Sequence, residues 1–99
     1  MKSLEFRGDI TLEEVFNEHK AVIYESVVHA IRDNLKLSEP EVPVIKIIIN
    51  EIEYSINLGH EKFLRCLDQA IAFYEQLEEY EKCQECLEIS NNLRKKELV

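Results

Sequence analysis

Three cysteines and one histidine in the second half of the chain are the residues best suited to do chemistry. Cys83 and Cys86 form a C-x-x-C pair, and two thiolates at this spacing on a helix could bind a soft metal or exchange a disulfide. Cys66 and His60 would complete a four-ligand zinc site if their segments pack beside this pair. The sequence holds no second C-x-x-C pair and no H-x-x-H pair to support such a site. We therefore interpret the cysteines as reduced thiols that pack in the core, and we expect no metal and no cofactor.

The three histidines do not form a catalytic pattern. His19, His29 and His60 are spread over two helical segments, and no serine or cysteine has a spacing that would pair a nucleophile with a base. His19 lies on an apolar stripe and is expected at the edge of the core, whereas His29 and His60 are expected in solvent. With only two glycines in the chain, a glycine-rich phosphate loop is excluded. We therefore expect no catalytic residue and no enzymatic activity.

A dense run of carboxylates occupies residues 75–88, where Lys82 is the only basic residue. One interpretation is a solvated helix face that maintains solubility. The other is a docking surface for a basic protein, including one whose nucleic-acid-binding groove this surface would occupy in place of a phosphate backbone. In the second interpretation, the partner-binding residues are Glu75, Glu78, Glu79, Glu81, Glu85 and Glu88.

The size and charge of the chain limit what else it could do. A length of 99 residues suits one hydrophobic core, so we expect a single domain over 1–99. The formal net charge of −8 repels phosphate backbones and anionic lipids, so we expect no direct nucleic-acid binding and no membrane association. No apolar run approaches the roughly 20 residues of a membrane-spanning helix. Residues 1–7 also lack the apolar core of a secretion signal, and we expect a cytoplasmic location.

Amphipathic helices must position these side chains, and the first is predicted near the start of the chain. Thr11 and Glu14 have the spacing of a capping box, which predicts a helix start. Apolar residues at steps of three and four extend this helix over about 12–36. Residues 1–9 precede the helix and are predicted to be either a short strand or a disordered lead. They end in a Gly-Asp turn that separates their first part from the helix.

An isoleucine-rich segment follows a connector that contains two prolines. Its β-branched residues, and an apolar-polar alternation over 52–58, predict a β-hairpin at about 44–58. Asn50 and Glu51 lack the glycine that a tight hairpin turn prefers, and the isoleucines also fit helical spacing, so a helix is the alternative. Both faces of such a hairpin would carry isoleucines and its edges would be open. We therefore expect a homodimer, with burial inside one chain as the alternative.

Two further helices are predicted toward the end of the chain. Apolar stripes place them at about 60–77 and about 79–96, as a helical hairpin over 60–96. Because no glycine or proline separates them, one continuous helix is the alternative. The predicted stripes include Leu77 of the earlier helix, and Tyr80 and Leu87 of the later one.

Residues 70–89 resemble the turn and second helix of a tetratricopeptide repeat and, more loosely, a UVR-type helical hairpin. The chain has no second copy at the spacing of about 34 residues on which a repeat solenoid depends. Leu87 and Glu88 stand where the UVR hairpin has an Arg-Asp pair. Because both likenesses are general features of amphipathic helix pairs, we assign no family.

Together these patterns predict a small α+β domain with the element order α-β-β-α-α, in which amphipathic helices pack on the hairpin. An all-α helical bundle is the alternative. The acidic run favours a non-catalytic protein–protein interaction module, such as a small inhibitor or an immunity-type or phage-type regulator that binds a basic protein. Two alternatives stay open. One is a metal- or thiol-dependent protein that uses Cys66, Cys83 and Cys86, and the other is a structural protein that forms homo-oligomers.

Overall fold

The computed structural model describes residues 2–35 and 40–97 and shows a small α+β fold. The α+β prediction is confirmed, and the all-α alternative is wrong. The observed order differs from the predicted one by an added first strand and a division of the first helix. In chain order, the elements are the strand β1 (Lys2–Phe6), the helices α1 (Leu12–Glu18) and α2 (Lys20–Asp33), the strands β2 (Glu41–Ile49) and β3 (Ile52–Gly59), a 3₁₀ turn (His60–Lys62), and the helices α3 (Phe63–Gln76) and α4 (Tyr80–Glu97).

The three strands form one sheet in the order β1-β2-β3. β1 runs parallel to β2, with Phe6 opposite Ile49. β2 and β3 run antiparallel and form the predicted hairpin, with Ile49 opposite Ile52. Of the two predictions for the start of the chain, the short strand is confirmed. Because β1 pairs along the side of β2 that faces away from β3, it covers one of the two edges that a hairpin alone would leave open.

The sheet has one apolar face and one polar face. The helices cover the apolar face, α2 lies against β2, and the residues of β2 buried there are Ile45, Ile47 and Ile49. On the opposite face, Lys46 and Glu53 form an ion pair with 3.3 Å between Nζ and Oε1. Ile48 lies between polar neighbours on that face and is half-buried. The second face is therefore much less apolar than the isoleucine content of β2 suggests, because a period of two places most isoleucines on the helix side.

The hairpin turn uses Asn50 and Glu51 without a glycine. Their φ angles are +49° and +70°, as the central residues of a type I′ turn require. Asn50 tolerates this conformation well, and its side chain also bonds to Gly8 through Oδ1 (3.0 Å) and Nδ2 (2.9 Å). Its backbone N–H donates to Phe6 O at 3.0 Å. Contacts with the loop after β1 therefore hold a turn that the dipeptide alone would favour weakly.

β2 begins three residues before the predicted hairpin and contains Pro43. Its pairing with β1 starts only at Ile45, so the missing N–H of Pro43 leaves no bond of the parallel ladder unmade. A register shift between Pro43 and Ile45 marks a bulge at Val44. Residues 36–39 lie outside the described residues, and they include the last residue of the first predicted helix and the start of the predicted connector.

The prediction of one continuous helix over about 12–36 is wrong. The predicted capping box does form, since the Glu14 N–H donates to Thr11 Oγ1 at 3.2 Å. The helix then breaks at His19, whose φ and ψ of −123° and 39° are not helical. The His19 ring lies 5.0 Å from the ring of Phe6 in β1, centroid to centroid. We attribute the break to this tertiary contact, because no proline or glycine is present to cause it. α2 ends at Asp33, where Asn34 Nδ2 donates to Ala30 O at 2.7 Å.

α3 and α4 are separate helices, so the alternative of one long helix is wrong. The turn between them is a Schellman motif, in which the N–H of Glu79 donates to Tyr74 O (2.9 Å) and that of Glu78 to Glu75 O (3.0 Å). Glu78 has a φ of +58° and occupies the left-handed position where glycine is the usual residue. The turn therefore forms without the glycine that usually marks such a position.

α3 and α4 pack against each other and extend the core that the sheet begins. The buried residues of α3 are Phe63, Leu67, Ala70 and Tyr74, and the buried apolar residues of α4 are Cys83, Cys86, Ile89 and Leu93. These residues belong to the same hydrophobic cluster as the β2 isoleucines. Within the described ranges, no helix has both the length and the apolar content that crossing a bilayer requires.

Candidate protein-binding surface

The three cysteines are free thiols that pack between helices. Cys83 and Cys86 are buried and Cys66 is half-buried. Cys83 Sγ lies 3.6 Å from Ile71 O and donates to it. Among residues 2–35 and 40–97, no three side chains of Cys, His, Asp or Glu come together in a group that could hold a metal ion. His60 packs on the Phe63 ring (4.4 Å between centroids), and it does not complete a four-ligand set with the cysteines.

The protein environment disfavours the thiolate form of all three cysteines. Burial raises the pKa of Cys86 to about 11, with a smaller contribution from the neighbouring Glu85 carboxylate. Burial also raises the pKa of Cys83 and that of Cys66, and in Cys66 the nearby cations of Lys62 and Arg65 oppose part of the shift. Because the thiolate is the metal ligand and the nucleophile, these thiols are poorly suited to either role at neutral pH.

The histidines lie apart, and none is joined to a nucleophile by a hydrogen bond in the described part of the chain. His29 is exposed and lines an open groove of about 380 Å³ together with Ser26 and Asp33. No hydrogen bond connects these three side chains, and Asp33 Oδ1 instead accepts from Arg32 Nε at 3.2 Å. A base and a nucleophile within hydrogen-bond reach, which nucleophilic catalysis requires, are therefore not assembled in this groove.

The six glutamates of the acidic run do not form one uniform face. Glu85 is half-buried and points toward α2, where Arg32 Nη1 lies 3.3 Å from its Oε1. Glu79 contacts Lys82, with 3.5 Å between Oε2 and Nζ. The remaining four are exposed and form no ion pair with any described residue: Glu75, Glu78, Glu81 and Glu88. The tertiary structure thus divides the predicted set into two internally paired carboxylates and four that are available to a partner.

Three large apolar side chains in the same stretch of the chain are also exposed. Leu77 is 52% exposed at the end of α3, Tyr80 is 64% exposed at the start of α4, and Leu87 is 44% exposed two turns further along α4. The predictions that Leu77 lies on the buried stripe of α3, and Tyr80 and Leu87 on that of α4, are wrong. We call these three residues together with Glu75, Glu78, Glu81 and Glu88 the acidic turn surface.

The spacing within α4 contains the signal that was missed. Tyr80 and Leu87 are seven residues apart and therefore share one helix face. The buried residues Cys86 and Leu93 lie roughly a third of a turn around the helix from that face, and the buried Cys83 lies between the two sets. Treating every apolar residue as a member of one broad stripe hid this second, solvent-facing set.

Tyr74 and Lys82 fix the acidic turn surface on the core. The Tyr74 side chain is buried beneath the turn, and Lys82 Nζ lies 5.3 Å from the centroid of its ring. Burial raises the pKa of Tyr74 to about 12, and surrounding groups that include Glu25, Glu79 and Glu85 add to the shift. Tyr74 therefore stays neutral at physiological pH and adds no charge to the turn.

Comparisons with protein-family models, with curated protein sequences and with solved structures find no match to this chain.

Proposed function

We propose that the protein is a non-catalytic interaction module that binds a basic protein through the acidic turn surface. The observation that carries this proposal is the exposure of Leu77, Tyr80 and Leu87 in the same stretch of chain as four exposed glutamates that form no ion pair with a described residue. In this proposal the protein acts in the cytoplasm as a small inhibitor or as an immunity-type or phage-type regulator.

The composition of the surface suits recognition of a basic partner. Tyrosine is enriched at the centres of protein interfaces, because its ring provides a large contact area and its hydroxyl can still hydrogen-bond. Exposed glutamates around such a centre attract a positively charged partner and raise its association rate. A set of carboxylates alone would be satisfied by water, so the exposed apolar side chains are what favour docking over simple solubility.

The backbone at Glu78 supports the same assignment. A residue with a side chain costs about 1 kcal/mol more than glycine in the left-handed region, and strained positions of this kind concentrate at functional sites. Glu78 places an exposed carboxylate at the tip of the turn despite this cost. A partner that contacts this carboxylate would account for its presence in a position that favours glycine.

Affinity capture with matched variants tests the proposal. The wild-type protein, Tyr80→Ala and a charge-reversed variant (Glu78→Lys, Glu81→Lys, Glu88→Lys) are immobilised, exposed to an extract of the source cells and compared by quantitative mass spectrometry. A basic protein should be captured by the wild type and depleted by roughly tenfold or more from both variants, the loss expected for a central interface residue.

The control variant has the same change in net charge at exposed carboxylates outside the acidic turn surface: Glu13→Lys, Glu18→Lys and Asp68→Lys. It should retain the captured protein. If the control lost the captured protein equally, the loss would be explained by net charge alone. If no captured protein depended on Tyr80, the proposal would be contradicted. Glu85 is left unchanged in all variants, because its reversal would break the internal pair with Arg32.

The alternative of a metal- or thiol-dependent function receives no support from the raised thiol pKa values or from the placement of Cys66, Cys83 and Cys86. Elemental analysis of the purified protein distinguishes it from the proposed function. Stoichiometric zinc or iron, lost together with stability in a variant with Cys83→Ala and Cys86→Ala, would favour the alternative.

A further inference from the structure

The free edge of β3 is a second candidate binding surface, distinct from the acidic turn surface. β3 pairs with β2 on one side, and within the described residues no strand pairs with its other side. The two-residue turn makes Ile49 and Ile52 a hydrogen-bonded pair, so that Ile52, Tyr54 and Ile56 direct their backbone groups toward β2. The backbone groups directed to the free edge are therefore those of Glu53, Ser55 and Asn57.

The side chains of β3 do little to protect this edge. Natural edge strands are commonly blocked by lysine, proline or a bulge, and the stretch Ile52–Leu58 contains none of these. Its one charge, Glu53, is paired with Lys46 of the same chain at 3.3 Å. The opposite edge strand, β1, is shorter and carries two charged residues among five, Lys2 and Glu5. The sheet thus has one protected edge and one open edge.

The helix-facing side of β3 is apolar and only half covered. Ile52 is 58% exposed and Tyr54 is 37% exposed, whereas Leu58 at the other end of the strand is buried. An antiparallel copy of β3 would place the covered end of one strand beside the uncovered end of the other. Each chain would then shield the exposed apolar residues of its partner.

We propose that the protein forms a symmetric homodimer in which β3 pairs antiparallel with β3 of a second copy, giving a continuous six-stranded sheet. The two-fold axis passes through Ser55. In this register Glu53 faces Asn57 of the other chain, Tyr54 faces Ile56 and Ile52 faces Leu58, and about six backbone hydrogen bonds form between outward-directed groups.

The avoidance of like-charge pairs favours this register for two chains that each have a net charge of −8. No carboxylate lies opposite another carboxylate, because each Glu53 meets the amide side chain of an asparagine. A register with the axis at Glu53 would place two carboxylates in direct opposition, which is destabilising. The single charge of β3 is that of Glu53, which is paired with Lys46 of its own chain, so this strand adds little to the repulsion between the two copies.

The test compares the same substitution at the two edges of the sheet. Ser55 and Ser3 both lie opposite Lys46, one on β3 and one on β1. Ser55→Glu places two carboxylates at the proposed two-fold axis, while Lys46 of the same chain stabilises the new carboxylate in the monomer. Ser3→Glu makes the same change beside the same lysine at the edge that the proposal leaves unpaired, so it is the matched control.

Sedimentation velocity over about 5 to about 200 μM, the range in which weak dimers dissociate, measures the outcome. The wild type and Ser3→Glu should sediment as dimers at the upper concentration, and Ser55→Glu should weaken dimerisation by roughly fivefold. Far-UV circular dichroism and thermal unfolding establish that both variants are folded. Ser55→Pro provides a second variant, because it removes an N–H that faces the free edge and leaves the β2 ladder intact.

A monomeric wild type at about 200 μM would overturn the proposal, since a functional dimer of this kind should form well below that concentration. So would a Ser55→Glu variant that stays as dimeric as the wild type, or equal weakening by Ser3→Glu. Amide hydrogen exchange gives an independent readout. The amides of Glu53, Ser55 and Asn57 should be protected at high protein concentration and should lose this protection on dilution.

Discussion

The acidic turn surface and the β3 edge offer a partner different groups, side chains at the first and backbone at the second. At the turn, the backbone is satisfied by the Schellman motif, and the exposed groups are side chains such as Tyr80 and Glu78. At the β3 edge, the side chains are mostly neutral and the exposed capacity is in the backbone N–H and C=O groups. The turn should therefore discriminate among partners by side-chain chemistry. The edge can pair with any strand of compatible register, and β3 of a second copy of the chain is one such strand.

The largest expected effect is on stability, and it distinguishes residues buried beneath the acidic turn surface from residues exposed on it. Leu67 is fully buried in α3, so Leu67→Ala should lower the free energy of unfolding by about 3 kcal/mol through lost burial and a cavity. Leu87 is 44% exposed, and Leu87→Ala should change the free energy of unfolding by less than about 0.5 kcal/mol while weakening capture of the partner. Urea denaturation measures both. A large loss of stability in Leu87→Ala would show that this leucine belongs to the core and not to the surface.

The next largest effect is expected from a substitution at the hairpin tip. Of the two surfaces, it should change only the β3 edge. Asn50→Ala removes the two side-chain hydrogen bonds to Gly8 and places alanine at a positive φ, for an expected loss of about 2 kcal/mol. Hydrogen exchange at the start of β3 should accelerate. The Glu79 amide, bonded to Tyr74 O, should be unaffected. Asn91→Ala on the exposed side of α4 is the control, and a similar loss there would remove the special role of the tip.

Added salt should have opposite effects on the binding affinities of the two surfaces. Raising the ionic strength from about 0.05 to about 0.3 M screens the attraction between the acidic turn surface and a basic partner, so this binding should weaken by about tenfold. The same change screens the repulsion between two chains of net charge −8, so the dimer should tighten by a few-fold. Both constants can be measured by analytical ultracentrifugation of labelled protein. Parallel weakening of the two would mean that dimerisation also uses charged contacts.

The smallest effect comes from two glutamates with positive φ, Glu51 at the hairpin tip and Glu78 at the helical turn. Glycine suits both backbones better, so Glu51→Gly and Glu78→Gly should each raise the free energy of unfolding by about 0.5 to 1 kcal/mol. Only Glu78→Gly should also weaken capture of the partner. The pair therefore tests directly whether the left-handed Glu78 is kept for binding, and unchanged capture by Glu78→Gly would argue against that role.

Much of the fold could be predicted because it depends on local patterns. The capping box at Thr11 and Glu14, the alternation that made β3 a strand and the apolar spacing of α3 each act within a few residues. Errors arose where a distant contact overrode the local preference. His19 interrupts a periodic helix at the point where its ring meets that of Phe6 in β1.

The candidate site was predicted only in part, for a similar reason. The sequence identified the carboxylates of the acidic run, but it could not separate Glu85, which pairs with Arg32 from a helix 53 positions away, from the exposed Glu81 and Glu88. It also placed Tyr80 and Leu87 in the core. Exposure depends on which helix face meets the neighbouring elements, and spacing alone does not show where those elements lie.

The sequence by itself determined that this chain is acidic, that residues 52–58 alternate between apolar and polar side chains and that its last third carries the apolar periodicity of helices, because composition and periodicity are local properties. The tertiary structure alone decided the pairing of β1 with β2, which leaves β3 as the open edge of the sheet. It also decided which carboxylates and apolar side chains meet solvent at the turn. Both outcomes depend on contacts between residues far apart in the chain, and such contacts form only once the core has assembled.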